Sequence, residues 1–334
     1  MSPASADGSP KKTPWIPSLR LQRIAAFLLL LTQGGITVTG SIVRVTGSGL
    51  GCDTWPMCHE GSLVPQAGAA PWLHQAIEFG NRLLAFVVAA AAIFVFVLLL
   101  KARRRAELIV YSVISGLGVV LQAVLGGISV HMDLHWWWVA IHFLPSMVLV
   151  WVAAMLYTRT AEPDDGTPTR TFPALIRVMT VISAICLAVV LITGTMVTGA
   201  GPHSGDETVG MEGRLQVDID WMAHVHGYNM YVYLAFTVII VALLYWKKAP
   251  RPAKQTGWAL IAMILIQAAI GIAQYNLGVP RWSVPLHIAM SSVVVAFSAW
   301  LYAHGRVRTG GTENTATGSP AGDKFVAQRA GASA

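Results

Sequence analysis

Residues 76–100 read AIEFGNRLLAFVVAAAAIFVFVLLL. After Arg82 the run carries no charge and no strong turn former. A hydrocarbon layer about 30 Å thick is crossed by about 20 apolar residues in a helix. The run therefore predicts a membrane-spanning helix, with polar residues gathered at its N-terminal end. Seven further runs of similar length follow the same pattern, at roughly 22–42, 107–130, 136–158, 173–198, 221–245, 256–277 and 283–303. The first starts too late, and runs too far into Thr/Gly-rich sequence, to be a cleaved signal peptide. Composition agrees: 54% of residues are hydrophobic and 12% charged, where a soluble domain carries about a quarter charged.

The formal charge of +7 invites a nucleic-acid reading until its distribution is inspected. Of the 23 Lys and Arg residues, 19 fall on alternate connections: the N-terminus, 101–105, 159–177, 247–254 and the tail. Only Arg44, Arg82, Arg214 and Arg281 lie on the other side. The positive-inside rule then puts both termini in the cytoplasm. The charge reads as topology, and nucleic acid is excluded as a partner. Residues 1–15 and 309–334 are rich in Ser, Gly, Ala, Thr and Pro, and predict disordered tails.

The chain also contains a weak copy of itself. Leu121-Gln-Ala-Val-Leu-Gly126 in the third span matches Ile266-Gln-Ala-Ala-Ile-Gly271 in the seventh. Gly40 to Gly49 closes the first span much as Gly194 to Gly201 closes the fifth. Gln122 precedes His142 by 20 residues, and Gln267 precedes His287 by 20. Repeats of four helices with the same inside–outside sense imply halves related by rotation about the membrane normal. The expected fold is an all-α membrane protein with eight transmembrane helices in two pseudo-symmetric four-helix bundles. The chain divides into a cytoplasmic disordered N-terminus (1–21), a first half (22–158), a linker (159–172), a second half (173–305) and a cytoplasmic disordered tail (306–334).

Ionisable residues are costly in hydrocarbon, about 2.5–3.5 kcal/mol at mid-helix for Arg, Lys or Asp. The few tolerated here are therefore informative. His74, Glu78 and Asn81 are spaced i, i+4, i+7 and share a helix face with Arg82 nearby. His142, His224, His226 and His287 lie in the outer thirds of the fourth, sixth and eighth spans. Imidazole suits iron, axial histidines hold haem, and four-helix bundles bind cofactors between facing helices. His224 and His226 are two residues apart, so only one faces inward. Gly227 beside His226 allows a flat ring to approach, which favours His226. Glu78 has a structural reading as an ion pair with Arg82. It also has a functional one, as a carboxylate that moves protons or steadies positive charge beside a cofactor. A pair at this depth gains little as structure, which favours function. His59, His131, His135, His203 and His304 read as surface or interface residues, and Trp136, Trp137 and Trp138 as an interfacial belt.

Cys52 and Cys58 share the first outer loop, on the oxidising side. A disulfide there would stabilise the loop by about 2.4 kcal/mol. Spacing leaves both a structural and a redox role open. Cys186 reads as a small buried apolar residue.

From about residue 22 to 305 the chain resembles the haem A synthase family (the CtaA type). The resemblance lies in Thr46-Gly-Ser-Gly-Leu-Gly-Cys52 with Trp55-Pro56 and Cys58, in Ile77-Glu-Phe-Gly-Asn-Arg82, and in the histidines of the fourth, sixth and eighth spans. It implies a second half that binds haem b (iron) through His226 and His287. It implies a first half that binds haem O as substrate, with His142 as an iron ligand. It also implies a catalytic Glu78, and a Cys52–Cys58 disulfide involved in electron or substrate transfer. The implied reaction oxidises the C8 methyl of haem O to a formyl group by successive hydroxylations. Many members carry Glu-x-x-His-Arg where this chain has Glu78-Phe-Gly-Asn81-Arg82. Asparagine is a poor iron ligand, so either His142 holds the substrate haem alone or another residue joins it, His74 being the candidate. Residues 199–220 lack the second cysteine pair found in some members. His74, Asn81 and Arg82 complete the expected haem-binding set. Haem O synthase (a farnesyltransferase), membrane lipid and an electron donor are the expected partners, and a homo-oligomer stays open. The competing readings are a quinol-linked dihaem electron carrier, which has little need of Glu78, and a transporter. The transporter reading lacks paired broken helices at the midplane.

Overall fold

A computed structural model of the chain describes residues 15–204 and 212–310. Eight helices dominate it: α1 (Leu19–Val45), α2 (Trp72–Lys101), α3 (Ala106–His131), α4 (Trp136–Thr160), α5 (Ala174–Ala200), α6 (Ile219–Trp246), α7 (Arg251–Asn276) and α8 (Ser283–Ala303). Each is long and apolar enough to cross a membrane, so the protein is an all-α, multi-pass membrane protein. α1, α2 and α7 begin three to five residues before their apolar runs do. Hydropathy marks the lipid-facing stretch, whereas helical hydrogen bonding continues into polar residues such as Arg20, His74 and Lys254.

Local chemistry sets the ends. The Ser18 hydroxyl accepts the Leu21 N–H, and the Asp218 carboxylate accepts the Trp221 N–H at 2.7 Å. α1 stops at Gly47, whose φ of +65° only glycine adopts freely. There the Gly47 and Ser48 N–H groups donate back to the carbonyls of Arg44 and Val43.

Consecutive helices pack within each half, α1 on α2 through α3 on α4, and α5 on α6 through α7 on α8. α4 and α8 pack on each other, and α1 lies against both. These central helices are the most enclosed: half of α4's apolar window is buried, against 17% for α3. Apolar solvation gives little drive for association within lipid, so close contact of small residues matters. At the seam the Thr37 and Ser292 hydroxyls lie 3.1 Å apart, and the Trp300 indole donates to the Ala154 carbonyl. At the opposite helix ends from Arg104, Arg44 ties α1 to the segment after α5 through the carbonyls of His203 and Thr198.

The connections assigned by charge to one side do meet on one face. Buried Arg104 donates to Asp164 at 2.8 Å, to Gln22 at 2.6 Å and to the carbonyls of Thr160 and Glu162. Arg105 binds Glu107, Glu162 and Asp164. A two-stranded antiparallel ribbon, β1 (Thr167–Arg170) with β2 (Arg306–Thr309), closes this face. Residues 306–309 thus depart from the disordered tail that the sequence predicts. Composition shows no apolar period there, but pairing with the linker satisfies their backbone groups, and Arg306 reaches Glu107. The remaining tail expectations, residues 1–14 and 311–334, lie outside the described residues. Removing one partner of a buried charge network costs about 3–5 kcal/mol. Arg104→Ala is therefore expected to lose stability on that scale in detergent unfolding, while Arg103→Ala, less enclosed on the same loop, stays near wild type.

Candidate functional site

The inward histidine of α6 is His226, and it faces His287 of α8. Their ring centres are 6.4 Å apart with planes at 63°. Two imidazoles on opposite faces of one iron stand about 6 Å apart, from metal–nitrogen bonds of about 2 Å plus a ring radius of about 1 Å each. His226 Nδ1 lies 3.0 Å from the Val190 carbonyl and donates to it. That fixes the ring and turns the lone pair of Nε2 away from the helix, the usual posture of a ligating histidine. His224 points elsewhere, exposed, with Nδ1 on the Asp220 carbonyl and its ring against Tyr275.

Each inward histidine rests on a glycine of the preceding helix. A Cβ on Gly126 would lie 3.3 Å from His142 Cε1; on Gly194, 3.1 Å from His226 Cε1; on Gly271, 3.1 Å from His287 Cε1. Gly227, next to His226 in the chain, instead borders open space, with nothing within 4 Å of a Cβ there. The contact that places the ring runs across helices, which adjacency in sequence does not reveal. His142 and His287 each keep a buried Nδ1 with no protein partner among the described residues. Buried polar atoms are rarely left so without a ligand or water to meet the site's demand. Among the described residues no three His, Cys, Asp or Glu side chains group to hold a bare metal ion. A facing pair with glycine-lined flanks fits a haem iron instead.

In the first half the shared face of α2 turns toward α1 and the loop after it. His74 Nδ1 lies 3.0 Å from the Ser48 hydroxyl. Thr39 donates to Asn81 Oδ1 at 2.7 Å. Glu78 is 5% exposed. Its Oε2 accepts the Cys52 N–H at 2.7 Å, and its Oε1 accepts from Arg82 at 2.5 and 3.1 Å. The Glu78–Arg82 ion pair thus exists, but it is also a clamp. Arg82 goes on to bind the carbonyls of Cys52, Thr54 and Met57. Cys52 and Cys58 form a disulfide, both fully buried. Trp55 of the same loop covers Gly127 of α3, where a Cβ would come within 2.7 Å of the indole. One loop therefore spans the N-terminal end of α2 and the C-terminal end of α3.

His59, expected at the surface or an interface, lies at the interface of this loop with α2, 5% exposed. The disulfide folds the loop back onto Gln75, a residue with no signal of its own in the sequence. Gln75 donates to the carbonyls of Gln66 and Ala70 and accepts the Gln66 N–H, which fixes its Oε1 toward His59. His59 Nε2 lies 2.8 Å from that oxygen and Nδ1 lies 2.8 Å from Asp53. Both ring nitrogens face acceptors, so the doubly protonated ring fits best. The Gln75 hydrogen bond, with Asp53 beside it, raises the His59 pKa above the usual imidazole value, against the opposing pull of burial. A raised pKa stabilises the folded loop fully below the ordinary value, and that contribution fades as pH rises through the raised one. Proteolytic protection of residues 52–62 is expected to weaken across that window. His59→Asn should remove the pH dependence, and Gln75→Leu should move the imidazole titration, read by NMR, back down.

The family model for cytochrome oxidase assembly proteins of the COX15-CtaA type matches residues 23–299. The Heme A synthase of Bacillus licheniformis is 27% identical over 256 residues, covering 71% of this chain and 80% of that protein. With eight membrane helices, inward histidines on α4, α6 and α8, and a family match across most of its length, this chain belongs to the COX15-CtaA family of cytochrome oxidase assembly proteins.

Proposed function

We propose that the protein is a haem A synthase, oxidising the C8 methyl of haem O to a formyl group by successive hydroxylations. The observation that carries this is the bond from buried Glu78 to the Cys52 N–H, which places a held carboxylate under a disulfide-closed loop. The name of the Bacillus licheniformis relative supports it.

The residues divide the work. His226 and His287 would hold haem b, which supplies one-electron transfer when bound. His142 would hold the iron of haem O in the first half. Glu78 accepts three hydrogen bonds that fix its two oxygens in place, so its carboxylate can steady positive charge developing at the oxidised carbon or accept its proton. Arg82 anchors the loop and limits how far Glu78 can move, and Trp55 shields the outer end from water. The disulfide acts at least as the staple of this arrangement. An electron carrier has no evident task for such a carboxylate. Haem O synthase would deliver the farnesylated substrate through the lipid, an electron donor would reduce the haem, and the chain would sit in the cell membrane with both termini cytoplasmic.

Co-expression with a haem O synthase, followed by haem extraction and chromatography, tests the proposal. Wild type is expected to accumulate haem A. Glu78→Ala should stop at haem O or a hydroxylated intermediate, with haem A down by about 10²-fold or more. Glu78→Gln keeps an acceptor for Cys52 but loses the charge. If it retains full activity, Glu78 only positions the loop. No haem A from wild type under active haem O supply refutes the enzyme assignment.

A further inference from the structure

The two halves differ at one point in their histidine surroundings. His226 follows Asn81 by 145 residues, as His287 follows His142 and Gln267 follows Gln122. Asn81 is therefore the counterpart of His226 in the repeat. The contacts agree. Thr193 Oγ1 lies 3.2 Å from His226 Nδ1, and Thr39 Oγ1 lies 2.7 Å from Asn81 Oδ1. Each threonine precedes the glycine that the repeat aligns, Gly194 or Gly40.

Those glycines record what the exchange does to space. A Cβ on Gly194 would meet the His226 ring at 3.1 Å, whereas nothing lies within 4 Å of a Cβ on Gly40. The short amide leaves open the volume that an imidazole fills in the other half. A neutral amide is a weak ligand for iron beside imidazole. His74 does not take its place: it is held to Ser48, and seven residues along the helix put it about 10 Å from the level of Asn81.

We propose that the first half binds its haem through His142 alone, and that the iron face toward Asn81 and Thr39 is open to a small diatomic ligand. This rests on the haem A synthase reading for the identity of the haem, not for its coordination. The second half, by contrast, would hold its iron with both His226 and His287, whose rings face each other.

The test is spectroscopic, on full-length protein purified after co-expression with a haem O synthase. Ferric electron paramagnetic resonance and ferrous carbon monoxide binding are read alongside extracted haem. Wild type is expected to show a low-spin haem lost in His226→Ala, and a high-spin, carbon monoxide-binding haem lost in His142→Ala. Asn81→His should convert the second signal to low spin and cut its carbon monoxide affinity at least tenfold. His74→Ala should leave it unchanged. Should Asn81→His fail to fold, the wild-type spin state and carbon monoxide uptake decide alone. The proposal is overturned by wild type with only low-spin haem, by no haem dependent on His142, by a spin change in His74→Ala, or by a folded Asn81→His that stays high spin. High-spin haem without any haem A formation would sink the enzyme assignment and leave this coordination standing.

Discussion

Hydrocarbon offers no hydrogen-bond partner, so each backbone N–H and C=O in the spanning region must be satisfied within its own segment. That demand makes every span a helix and sends irregular chain to the membrane edges. It also governs the side chains. Polar groups survive at depth only where another part of the protein meets them. Thr37 with Ser292 at the seam and Tyr233 with Ser298 inside the second half are such meetings. The arginine cluster around Arg104 applies the same rule at one face, where buried cations gather carboxylates and helix-end carbonyls from separate connections.

The site at the start of α2 applies that rule to a carboxylate. Glu78 is buried, and three hydrogen bonds partly compensate its desolvation. Breaking a buried pair costs about 3–5 kcal/mol, while closing the short ring between Cys52 and Cys58 contributes about 2.4 kcal/mol. Arg82 ties the loop to the helix end through the carbonyls of Cys52, Thr54 and Met57, alongside the disulfide. The disulfide sets the loop's internal shape, which brings His59 against Gln75. The contacts that fix the Glu78 carboxylate also keep the loop closed.

The two halves share a plan and differ in detail. Glycine under histidine recurs in both, at Gly126, Gly194 and Gly271. The second half pairs two imidazoles at 6.4 Å, an arrangement suited to passing electrons without changing ligands. In the first half an amide stands where the repeat would put a second imidazole, and the carboxylate and disulfide loop lie beside it. Such divergence after duplication gives one scaffold two histidine environments that differ in chemistry.

Hydropathy and charge alternation alone determined the eight spans and which connections share a face, because crossing a bilayer constrains length and polarity within each segment. The in-register spacing of Gln122 with His142 and Gln267 with His287 was equally legible, since a repeat leaves its mark in linear order. The glycines of the two Gln-containing motifs were visible too, but not their task as seats for the imidazoles. The seating of His226 on Gly194, the burial of His59 on Gln75, the bond from Glu78 to Cys52 and the pairing of residues 306–309 with 167–170 were decided only by tertiary structure. Each depends on two segments far apart in the chain meeting at a few ångströms, and neither segment carries a periodic signal of its partner.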